Sequence, residues 1–420
     1  MTDRSNRKFA EAGLNQTELA AEMTALKRAD RPWNEPKNLR ASYDAGDDVV
    51  AVANAAYVAH IGDNAIYSAS SYPSLRRYED GVVAMVCEML NAPEGAVGSV
   101  TTGGTESITM AVKTARDWAR ALKPAVHEPE IVLPRTAHPA FNKAAELLGL
   151  KAVRMAKSVD YRADLEAMTR AIGPNTIMIV GSAPPFPYGL VDPIERLSAL
   201  AERHGLWLHV DACVGGFVLP FARELGHDVP GFDFEVPGVS SMSVDLHKYG
   251  FSGRGASVLV IRDDARAKHQ GFNFEVWPAG IYRTANIAGS RNGGAVASAY
   301  AVMRYLGRAG YRNGVARMIE SKQRIAEGLA EIGGLGVLGR PEGTHFSIVA
   351  DELDIFAIAD GLHERGWLFS RGVDPKALQL LLNPRHGTVV DQFLADIAEV
   401  AGLVQAGKIE SRGVGPVYIV

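Results

Sequence analysis

The chain has 420 residues, of which 47% are hydrophobic, so it can bury a large core and divide into more than one domain. Its formal net charge is −4 and it has no run of basic residues, which argues against nucleic acid or an anionic membrane as a partner. Its only two cysteines are Cys87 and Cys213, so a disulfide framework is unsupported and a cytoplasmic location is expected.

Short apolar stretches alternate with helical patterns along the chain, as in a mostly parallel α/β sheet. Residues 1–31 are polar and charged, with helical spacing at Leu19, Met23 and Leu26, and do not resemble a signal peptide. The predicted helices cover residues 75–91, 106–122, 193–204, 294–335 and 390–405. The predicted strands cover residues 131–133, 177–180, 206–211, 238–244, 258–261, 346–350 and 377–382, and all are far too short to span a bilayer.

These elements predict three parts of the chain. An N-terminal segment (1–60) precedes a large sheet domain (61–310). A small α+β domain (311–420) begins inside the long helical pattern and continues beyond it. No internal repeat or low-complexity linker interrupts this order.

The sequence TTGGTES at residues 101–107 precedes the predicted helix 106–122. Gly103 and Gly104 allow backbone N–H groups to turn toward an anion, and the start of the helix adds partial positive charge. Thr105 and Ser107 are expected to add hydroxyl donors. The motif predicts a phosphate-binding loop, although a glycine turn before an ordinary N-capped helix would give the same pattern.

His138 follows the predicted strand 131–133, within AHPAF. An imidazole at this place can stack on an aromatic ring, but a lone histidine can also be purely structural. The loop PPFPYG (184–189) follows the predicted strand 177–180 and is expected to line the same site, because ligands bind at the carboxyl ends of strands in open α/β sheets.

Asp211 ends the apolar strand LWLHVD and is followed by Ala212. A carboxylate there can pair with a protonated ring nitrogen, and the small Ala212 leaves room for a ring to lie against it. An aspartate that caps the next turn is the alternative.

Lys248 lies in SVDLHKYG (243–250), beside His247, after an apolar stretch and before a glycine turn. Many enzymes present an amine to pyridoxal 5′-phosphate (PLP) in this way, and the amine forms a Schiff base with the cofactor aldehyde. A solvated His-Lys pair is the alternative for the dipeptide alone. A phosphate loop, a stacking histidine, an aspartate and a lysine in this chain order, each at the end of a strand, together predict dependence on PLP.

Five segments of the chain resemble sphingosine-1-phosphate lyases, which belong to the wider group II PLP-dependent decarboxylase family. They are TGGTES (102–107), TAHPAF (136–141), HVDACVGGF (209–217), DLHKYGF (245–251) and IAGSR (287–291). The likeness extends from about Tyr43 to the ending GVGPVY (413–418), which is similar to the family's Gly-x-Gly-x-x-Tyr ending. The resemblance implies the type I, aspartate aminotransferase-like fold.

By that resemblance Lys248 is the Schiff-base lysine, Asp211 the partner of the pyridine nitrogen and His138 the stacking residue. The resemblance also implies that Gly103, Gly104 and Thr105 hold the cofactor phosphate, with Ala212 and His247 beside the cofactor. It further implies an obligate homodimer with shared active sites, in which Gly289 and Ser290 reach the phosphate of the neighbouring subunit.

The substrate side departs from the family pattern at three places. Phe186 replaces a tyrosine that some bacterial members have, and the stretch ending in Tyr67 replaces Asn-Pro-Leu-His, whose histidine helps to bind substrate phosphate. Arg254 replaces a second lysine, and an arginine can bind an anion but cannot act as a base. Tyr43 matches a family tyrosine near the substrate and is available as an acid or base.

For Tyr43 and Tyr67 the alternative is aromatic packing between domains, and for Arg254 it is a surface arginine on a tight turn. The departures leave open a smaller phosphorylated or acidic amine in place of a sphingoid phosphate.

The sequence therefore predicts a PLP-dependent carbon–carbon lyase, without a metal, that cleaves a β-hydroxy amine or amino acid by retro-aldol chemistry and releases an aldehyde. The alternative enzyme is an amino-acid α-decarboxylase, because both reactions use the same cofactor residues. A catalytically silent PLP-binding protein is disfavoured because Lys248, Asp211 and His138 are all present.

Overall fold

The structure, a computed structural model, describes residues 9–413 of the chain. The chain divides into two compact units, one that ends at Glu35 and one that begins at Pro36. In the first unit, helix α1 (Gln16–Lys27) begins with a capping box in which Asn15 and Glu18 bond reciprocally. The helical spacing of Leu19, Met23 and Leu26 thus lies on a helix, and all three side chains are exposed.

The second unit is built on a seven-stranded sheet. Its strands are β1 (Val97–Thr101), β2 (Glu130–Pro134), β3 (Lys151–Met155), β4 (Thr176–Ser182), β5 (Trp207–Asp211), β6 (Val239–Val244) and β7 (Ser257–Ile261). They are ordered β1-β7-β6-β5-β4-β2-β3 across the sheet. Every neighbouring pair is parallel except the two that include β7, so six strands run in one direction and β7 runs in the other.

Helices accompany this sheet, and most follow a strand as a crossover connection. They are α2 (Asp47–Ala59), α3 (Pro73–Met89), α4 (Gly104–Leu122), α5 (Ala140–Leu148), α6 (Leu165–Ala171), α7 (Ile194–His204), α8 (Leu219–Glu224) and α9 (Asp264–Ala267). Helix α4 forms where the sequence places apolar residues at helical spacing, and Ile108, Val112 and Ala115 are buried on one of its faces. This burial fixes the start of α4 at the end of β1.

The rest of the chain holds a hairpin, a long helix and a small antiparallel sheet. The remaining elements are β8 (Phe272–Trp277), β9 (Gly280–Thr284), α10 (Gly293–Ala330), β10 (Leu335–Val337), β11 (His345–Ala350), α11 (Ile355–Glu364), β12 (Ser370–Val373), β13 (Lys376–Leu381) and α12 (Val390–Gln405). Strands β8 and β9 pair with each other, and the small sheet has the order β10-β11-β13-β12. This agrees with the predicted large, mostly parallel sheet followed by a small α+β part.

The predicted helix 294–335 is too long at its end. Helix α10 stops at Ala330, and Gly334 with φ +77° turns the chain so that Leu335 begins a strand. The helix is also interrupted at Gly307, whose φ of 54° is not helical. The predicted boundaries at 60 and 310 stay a prediction, and the second of them falls inside α10.

Two sequence-based expectations concern features at or beyond the described part. Within residues 9–413, no helix combines the length and the apolar character needed to cross a membrane. The predicted ending GVGPVY extends past Gly413 and therefore lies outside the described residues.

Candidate active site

The predicted cofactor segments meet at one edge of the large sheet. Strands β1, β4, β5 and β6 run in the same direction, so Thr101, Ser182, Asp211 and Val244 end their strands at that edge. Their registers are adjacent, with Ser182 opposite Asp211 and Asp211 opposite Ser243. The phosphate-loop motif, the loop 184–189, the aspartate motif and the lysine motif each follow one of these strand ends.

Lys248, four residues after the end of β6, forms an ion pair with the buried Asp245. Its Nζ lies 2.9 Å from Oδ2 of Asp245, whose side chain is 2% exposed. The Nε2 atom of His247 lies 3.8 Å from the same carboxylate oxygen. The turn is tight, since any side chain at Gly250 would collide with the backbone of Leu246.

The ion pair fixes the charge state of the lysine. Burial would lower the pKa of Lys248, but the Asp245 carboxylate raises it above its ordinary value. Burial would raise the pKa of Asp245, but the charges of Lys248 and His247 lower it below its ordinary value. The pKa of His247 is lowered, chiefly by burial. The lysine is therefore held as an ammonium group, and a base must take its proton before it can act as an amine.

Asp211 is buried at the end of β5 and has two donors. Its Oδ1 accepts a hydrogen bond of 3.0 Å from the backbone N–H of Cys213 and a longer one of 3.4 Å from the hydroxyl of Ser243. Behind them, His209 contacts Ser243 Oγ through Nε2 at 3.1 Å and Ser241 Oγ through Nδ1 at 2.8 Å. Burial lowers the pKa of His209 to about 4, so this imidazole is neutral.

The direction of this hydrogen-bond chain follows from donor counting. The hydroxyl proton of Ser243 is given to Asp211, so Ser243 must accept from His209, which assigns its proton to Nε2. Ser241 then donates to Nδ1 while it accepts from the indole N–H of Trp207. Every dipole of this hydrogen-bond chain points toward the carboxylate of Asp211.

His138 lies on the wall of the cleft. Its side chain is exposed to solvent, and its Nδ1 accepts a hydrogen bond of 3.1 Å from the N–H of Ala140. The surrounding protein atoms still remove part of its hydration, which lowers the pKa of His138. The charges of Asp211, Lys248 and Asp245 also act on this imidazole, which puts it in one cluster with them.

The two ends of the predicted phosphate-loop motif, Gly103 to Thr105 and Ser107, have different surroundings in the structure. Gly103 has φ +154°, which a side chain would disfavour, and Gly104 and the exposed Thr105 follow at the first turn of α4. A Cβ atom at Gly104 would lie 2.7 Å from Asp245 Oδ1 and 2.8 Å from Cys213 Sγ. Only glycine therefore leaves this space open.

The prediction that Ser107 donates to the ligand is wrong. Its hydroxyl is fully buried and bonds Thr101 Oγ1 at 2.7 Å and Ser257 Oγ at 2.9 Å. A side chain at this position of α4 faces the sheet, so Ser107 anchors the helix to β1 and β7.

The residues at this edge fit PLP. The buried Oδ1 of Asp245 has no hydrogen-bond partner among the described residues, and it lies beside the glycine cradle and the lysine. The start of α4 suits a phosphate, and Asp211, next to the fully buried Ala212, suits a protonated ring nitrogen. Lys248 would supply the amine that the aldehyde requires.

Tyr43 and Arg254 form one group on the outer side of the lysine. The Tyr43 ring contacts the Tyr249 ring edge-on with centroids 5.0 Å apart, and the Arg254 guanidinium lies 5.5 Å from the centroid of the Tyr43 ring. Tyr43 acts electrostatically on Lys248, and Arg254 acts on His247. Arg254 also lines a cavity of 110 Å³ together with Arg291 and Thr102.

Phe186 is half-buried on the loop 184–189, where its ring stacks on His345 with centroids 6.4 Å apart. The loop is fixed from the small sheet, because His345 Nε2 donates to the carbonyl of Pro185 at 3.2 Å and Ser347 donates to Pro187 at 2.6 Å. This loop follows β4 and borders the end of β5, as predicted.

Tyr67, Gly289 and Ser290 form a separate group. Tyr67 is 56% exposed on a 3-10 turn that begins after Asn64, and Asn64 donates to Ser290 Oγ at 2.9 Å. Ile66 of the same turn would be 3.8 Å from a Cβ atom at Gly289. The described contacts join these residues to one another and not to Lys248, which is compatible with the predicted contribution to a neighbouring subunit.

The sequence did not reveal the roles of Asp245, His209, Ser243 and Glu106. Asp245 and Glu106 lay inside quoted motifs without an assigned function. Polar residues in the otherwise apolar stretches of β5 and β6, among them His209, Ser241 and Ser243, were the available signal, because buried polar groups need partners. The pairing of His209 with Ser241 and of Asp211 with Ser243 across the parallel strands needed the register of the sheet.

Comparison with known proteins identifies the family. Residues 8–338 match the family described as the pyridoxal-dependent decarboxylase conserved domain, and the chain belongs to this family. It is 42% identical over 354 residues to a sphingosine-1-phosphate lyase of Arabidopsis thaliana, an alignment that covers 83% of this chain and 65% of that protein. The chain thus spans just under two thirds of the length of that relative.

Two further proteins are similar over much of the chain. A solved structure of a sphingosine-1-phosphate lyase from Burkholderia pseudomallei has a TM-score of 0.91 and 35% identity, covering 96% of this chain and 94% of that one. A probable L-tyrosine/L-aspartate decarboxylase of Methanothermobacter thermautotrophicus is 35% identical and covers 74% of this chain and 83% of that protein. These likenesses confirm the predicted family, the fold, the PLP cofactor and the lyase class.

Proposed function

We propose that the protein cleaves the Cα–Cβ bond of an anionic β-hydroxy amine by retro-aldol chemistry and releases an aldehyde. The observation that carries the proposal is the position of Tyr43 and Arg254, a phenol and a guanidinium grouped beside Lys248. A retro-aldol cleavage needs a group that takes the β-hydroxyl proton, and an anionic substrate needs a fixed positive charge. The similarity to sphingosine-1-phosphate lyases favours a phosphate as the anion.

On the cofactor side the residues bind and orient. PLP, when bound, withdraws electrons from the bonds to Cα. Asp211, which accepts from Ser243 and the N–H of Cys213, would pair with the protonated pyridine nitrogen. Gly103, Gly104 and Thr105 would bind the phosphate at the start of α4, and His138 would stack on the ring, which Ala212 would also contact.

On the substrate side the residues move protons and exclude water. Lys248 would hold the cofactor through its amine, and Asp245, 2.9 Å from its Nζ, is placed to take its proton. Tyr43 would take the proton of the β-hydroxyl as a phenolate, after its own proton has passed to solvent, and Arg254 would bind the anionic group. Phe186 covers the cleft from the loop 184–189, which the small sheet holds in place. Tyr67 would enter the neighbouring site together with the segment that carries Ser290.

An α-decarboxylase is the second candidate. The matched family is named for decarboxylation, and the Methanothermobacter relative is a probable amino-acid decarboxylase. On this reading Arg254 would bind a side-chain carboxylate, and Tyr43 would return a proton to Cα.

One experiment separates the two candidates. The purified protein with PLP is incubated with phosphorylated sphingoid bases and with acidic and aromatic amino acids, while aldehyde and CO₂ are measured separately. Aldehyde from a β-hydroxy amine without CO₂ supports the lyase, and CO₂ without aldehyde supports the decarboxylase. If neither product forms from any substrate, the proposed reaction is wrong.

We also infer a homodimer with shared sites, in which Gly289 and Ser290 reach the neighbouring cofactor phosphate. The hairpin of β8 and β9 supports this, since Phe272, Val276 and Trp277 are 50–82% exposed. Cofactor binding and association should then be coupled by mass action. PLP affinity should therefore weaken on dilution toward the monomer, and an affinity that is independent of protein concentration would contradict the shared site.

A cytoplasmic location is part of the proposal. Cys87 and Cys213 are both free thiols, and burial raises the pKa of Cys87 to about 11. A reducing compartment suits two such thiols. Cell fractionation with an antibody against the native protein would test it.

A further inference from the structure

Glu106 is a buried carboxylate that binds two separate loops. Its Oε2 accepts from the backbone N–H and from the hydroxyl of Thr102, both at 2.7 Å. Its Oε1 accepts from the backbone N–H groups of Ile287 at 2.8 Å and Ala288 at 3.0 Å. Each carboxylate oxygen therefore serves one loop, and the residue as a whole is 8% exposed.

The two loops are those predicted to hold cofactor phosphate in different subunits. Thr102 directly precedes the Gly103-Gly104-Thr105 cradle of this chain's own site. Ile287 and Ala288 directly precede Gly289 and Ser290, which are assigned to the partner's site. The far end of the second loop is held independently, since Asn64 bonds the hydroxyl of Ser290 and the N–H of Arg291.

A simple helix cap would not have this arrangement. A glutamate in the first turn of a helix commonly accepts from backbone N–H groups of the loop just before it, and Oε2 does this at Thr102. The bonds to Oε1 come from residues 181 and 182 positions further along the chain. Burial opposes ionisation of Glu106, but these bonds lower its pKa below the ordinary value, so it remains a strong acceptor for both loops.

We propose that Glu106 is a positioning residue that couples phosphate binding in one subunit's site to the placement of the loop that enters the partner's site. The inference rests on the proposed dimer with shared sites. When phosphate orders the cradle, the carboxylate holds the segment 287–290 in the position that the partner's cofactor needs. Because binding linkage is reciprocal and the dimer has two sites, PLP must then tighten the dimer by the square of the factor by which association tightens PLP binding at each site.

The test compares the wild type with Glu106→Gln. Glutamine keeps the shape, but its single carbonyl oxygen can hold one loop, and its NH₂ group cannot accept from the other. Dimer dissociation constants are measured by sedimentation for the full chain, first stripped of cofactor with hydroxylamine and then reloaded with PLP. The ratio of the two constants is the linkage factor.

The expected result is a linkage factor that falls by about tenfold or more in Glu106→Gln, within the range that allosteric couplings usually span. Asp360→Asn is the matched control, because Asp360 is also buried and accepts from Arg371 at 2.6 Å and from the N–H of Arg412 at 2.8 Å, within the C-terminal part of the chain. This control should keep the wild-type linkage factor. A purely structural role of Glu106 would lower thermal stability and leave the factor unchanged.

Two outcomes overturn the inference in distinguishable ways. A normal linkage factor in both wild type and Glu106→Gln removes the role of Glu106 and leaves the shared site intact. A wild type without linkage removes the shared site itself, and the inference with it. If Glu106→Gln does not fold, Glu106→Asp replaces it, because the shorter carboxylate keeps the charge but cannot span both loops. That variant must also lose most of the linkage, or the inference fails.

Discussion

The cofactor side and the substrate side of this cleft are built in different ways. Asp211, Asp245 and Lys248 follow directly from strand ends, and their polar atoms lie in buried ion pairs and hydrogen bonds. Tyr43 and Arg254 come from loops and meet through a ring contact at 5.5 Å. A sheet fixes positions to fractions of an ångström, whereas loops on a rigid scaffold can vary. One cofactor can therefore be kept while the substrate changes.

The most severe test of the cofactor side is Lys248→Ala. Lys248 is the amine that pairs with Asp245 beside the glycine cradle, so the variant should lose the absorbance of the cofactor-bound enzyme. Turnover should fall by more than about 10³-fold, as expected for loss of an activated nucleophile. Absorbance spectra and borohydride reduction followed by peptide mapping measure both effects. A reducible adduct that persists in the variant would show that another lysine carries the cofactor.

Asp211→Asn should be the next most harmful change. An amide cannot hold the pyridine nitrogen protonated, so turnover should fall by about 10²–10³-fold while the fold and some PLP binding remain. Ser243→Ala is the graded companion, because it removes only the hydroxyl that donates to Asp211 at 3.4 Å. We expect it to slow turnover by less than about tenfold, as for one neutral hydrogen bond. Near wild-type kinetics for Asp211→Asn would mean that the ring nitrogen does not need a carboxylate.

The ion pair between Asp245 and Lys248 predicts that a variant lacking one partner loses stability. Asp245→Asn leaves the buried ammonium of Lys248 without its partner, so the free energy of unfolding of the cofactor-free protein should fall by about 3–5 kcal/mol. Adding Lys248→Met should restore most of this loss, because the uncompensated charge is gone. Urea denaturation of the two single variants and the double variant measures the coupling, and additive effects would contradict it.

The same pair gives a pH dependence with a defined sign. The pKa of Asp245 is lowered in the folded state, so its contribution is fully present above the unfolded-state pKa of about 4 and is lost as pH falls through the folded-state pKa. The stability difference between wild type and Asp245→Asn should therefore shrink below about pH 4. A stability difference that stays constant in that range would mean that the ionised carboxylate of Asp245 is not the group that stabilises Lys248.

The contrast between the two sides also separates what the sequence could predict. Lys248, Asp211 and the glycine cradle stand beside strong local signals, an apolar strand and a helix start, and strand ends of parallel sheets meet at one edge. Asp245 could not be recognised, because only the fold turns its side chain toward Nζ of the lysine three residues later. Ser107 was misjudged for the same reason, since its helix face was not known. The sequence predicted neither β1, where Gly98 and Ser99 interrupt the apolar pattern, nor β3, which is largely half-buried.

Arg254→Met bears on the substrate side and should have the smallest effect on the enzyme as a whole. The contacts described for the Arg254 guanidinium are with the Tyr43 ring and, at 3.4 Å, with the carbonyl of Ala41. The fold should therefore not depend on Arg254. If it binds the anionic group of the substrate, its loss should raise KM by about tenfold, the equivalent of one charge-assisted contact, while PLP affinity is unchanged.

Two further variants show whether this effect belongs to the site. Arg254→Lys, which restores the residue of the lyase family, should recover part of the loss, because a lysine keeps the charge but not the planar fork. Arg203→Met, at the exposed end of α7 just before β5 begins, removes an arginine at the opposite edge of the sheet and should leave KM unchanged. Wild-type KM in Arg254→Met on the active substrate would make Arg254 a surface residue, and the anionic group would then have to bind elsewhere, with Arg291 in the same cavity as the first position to test.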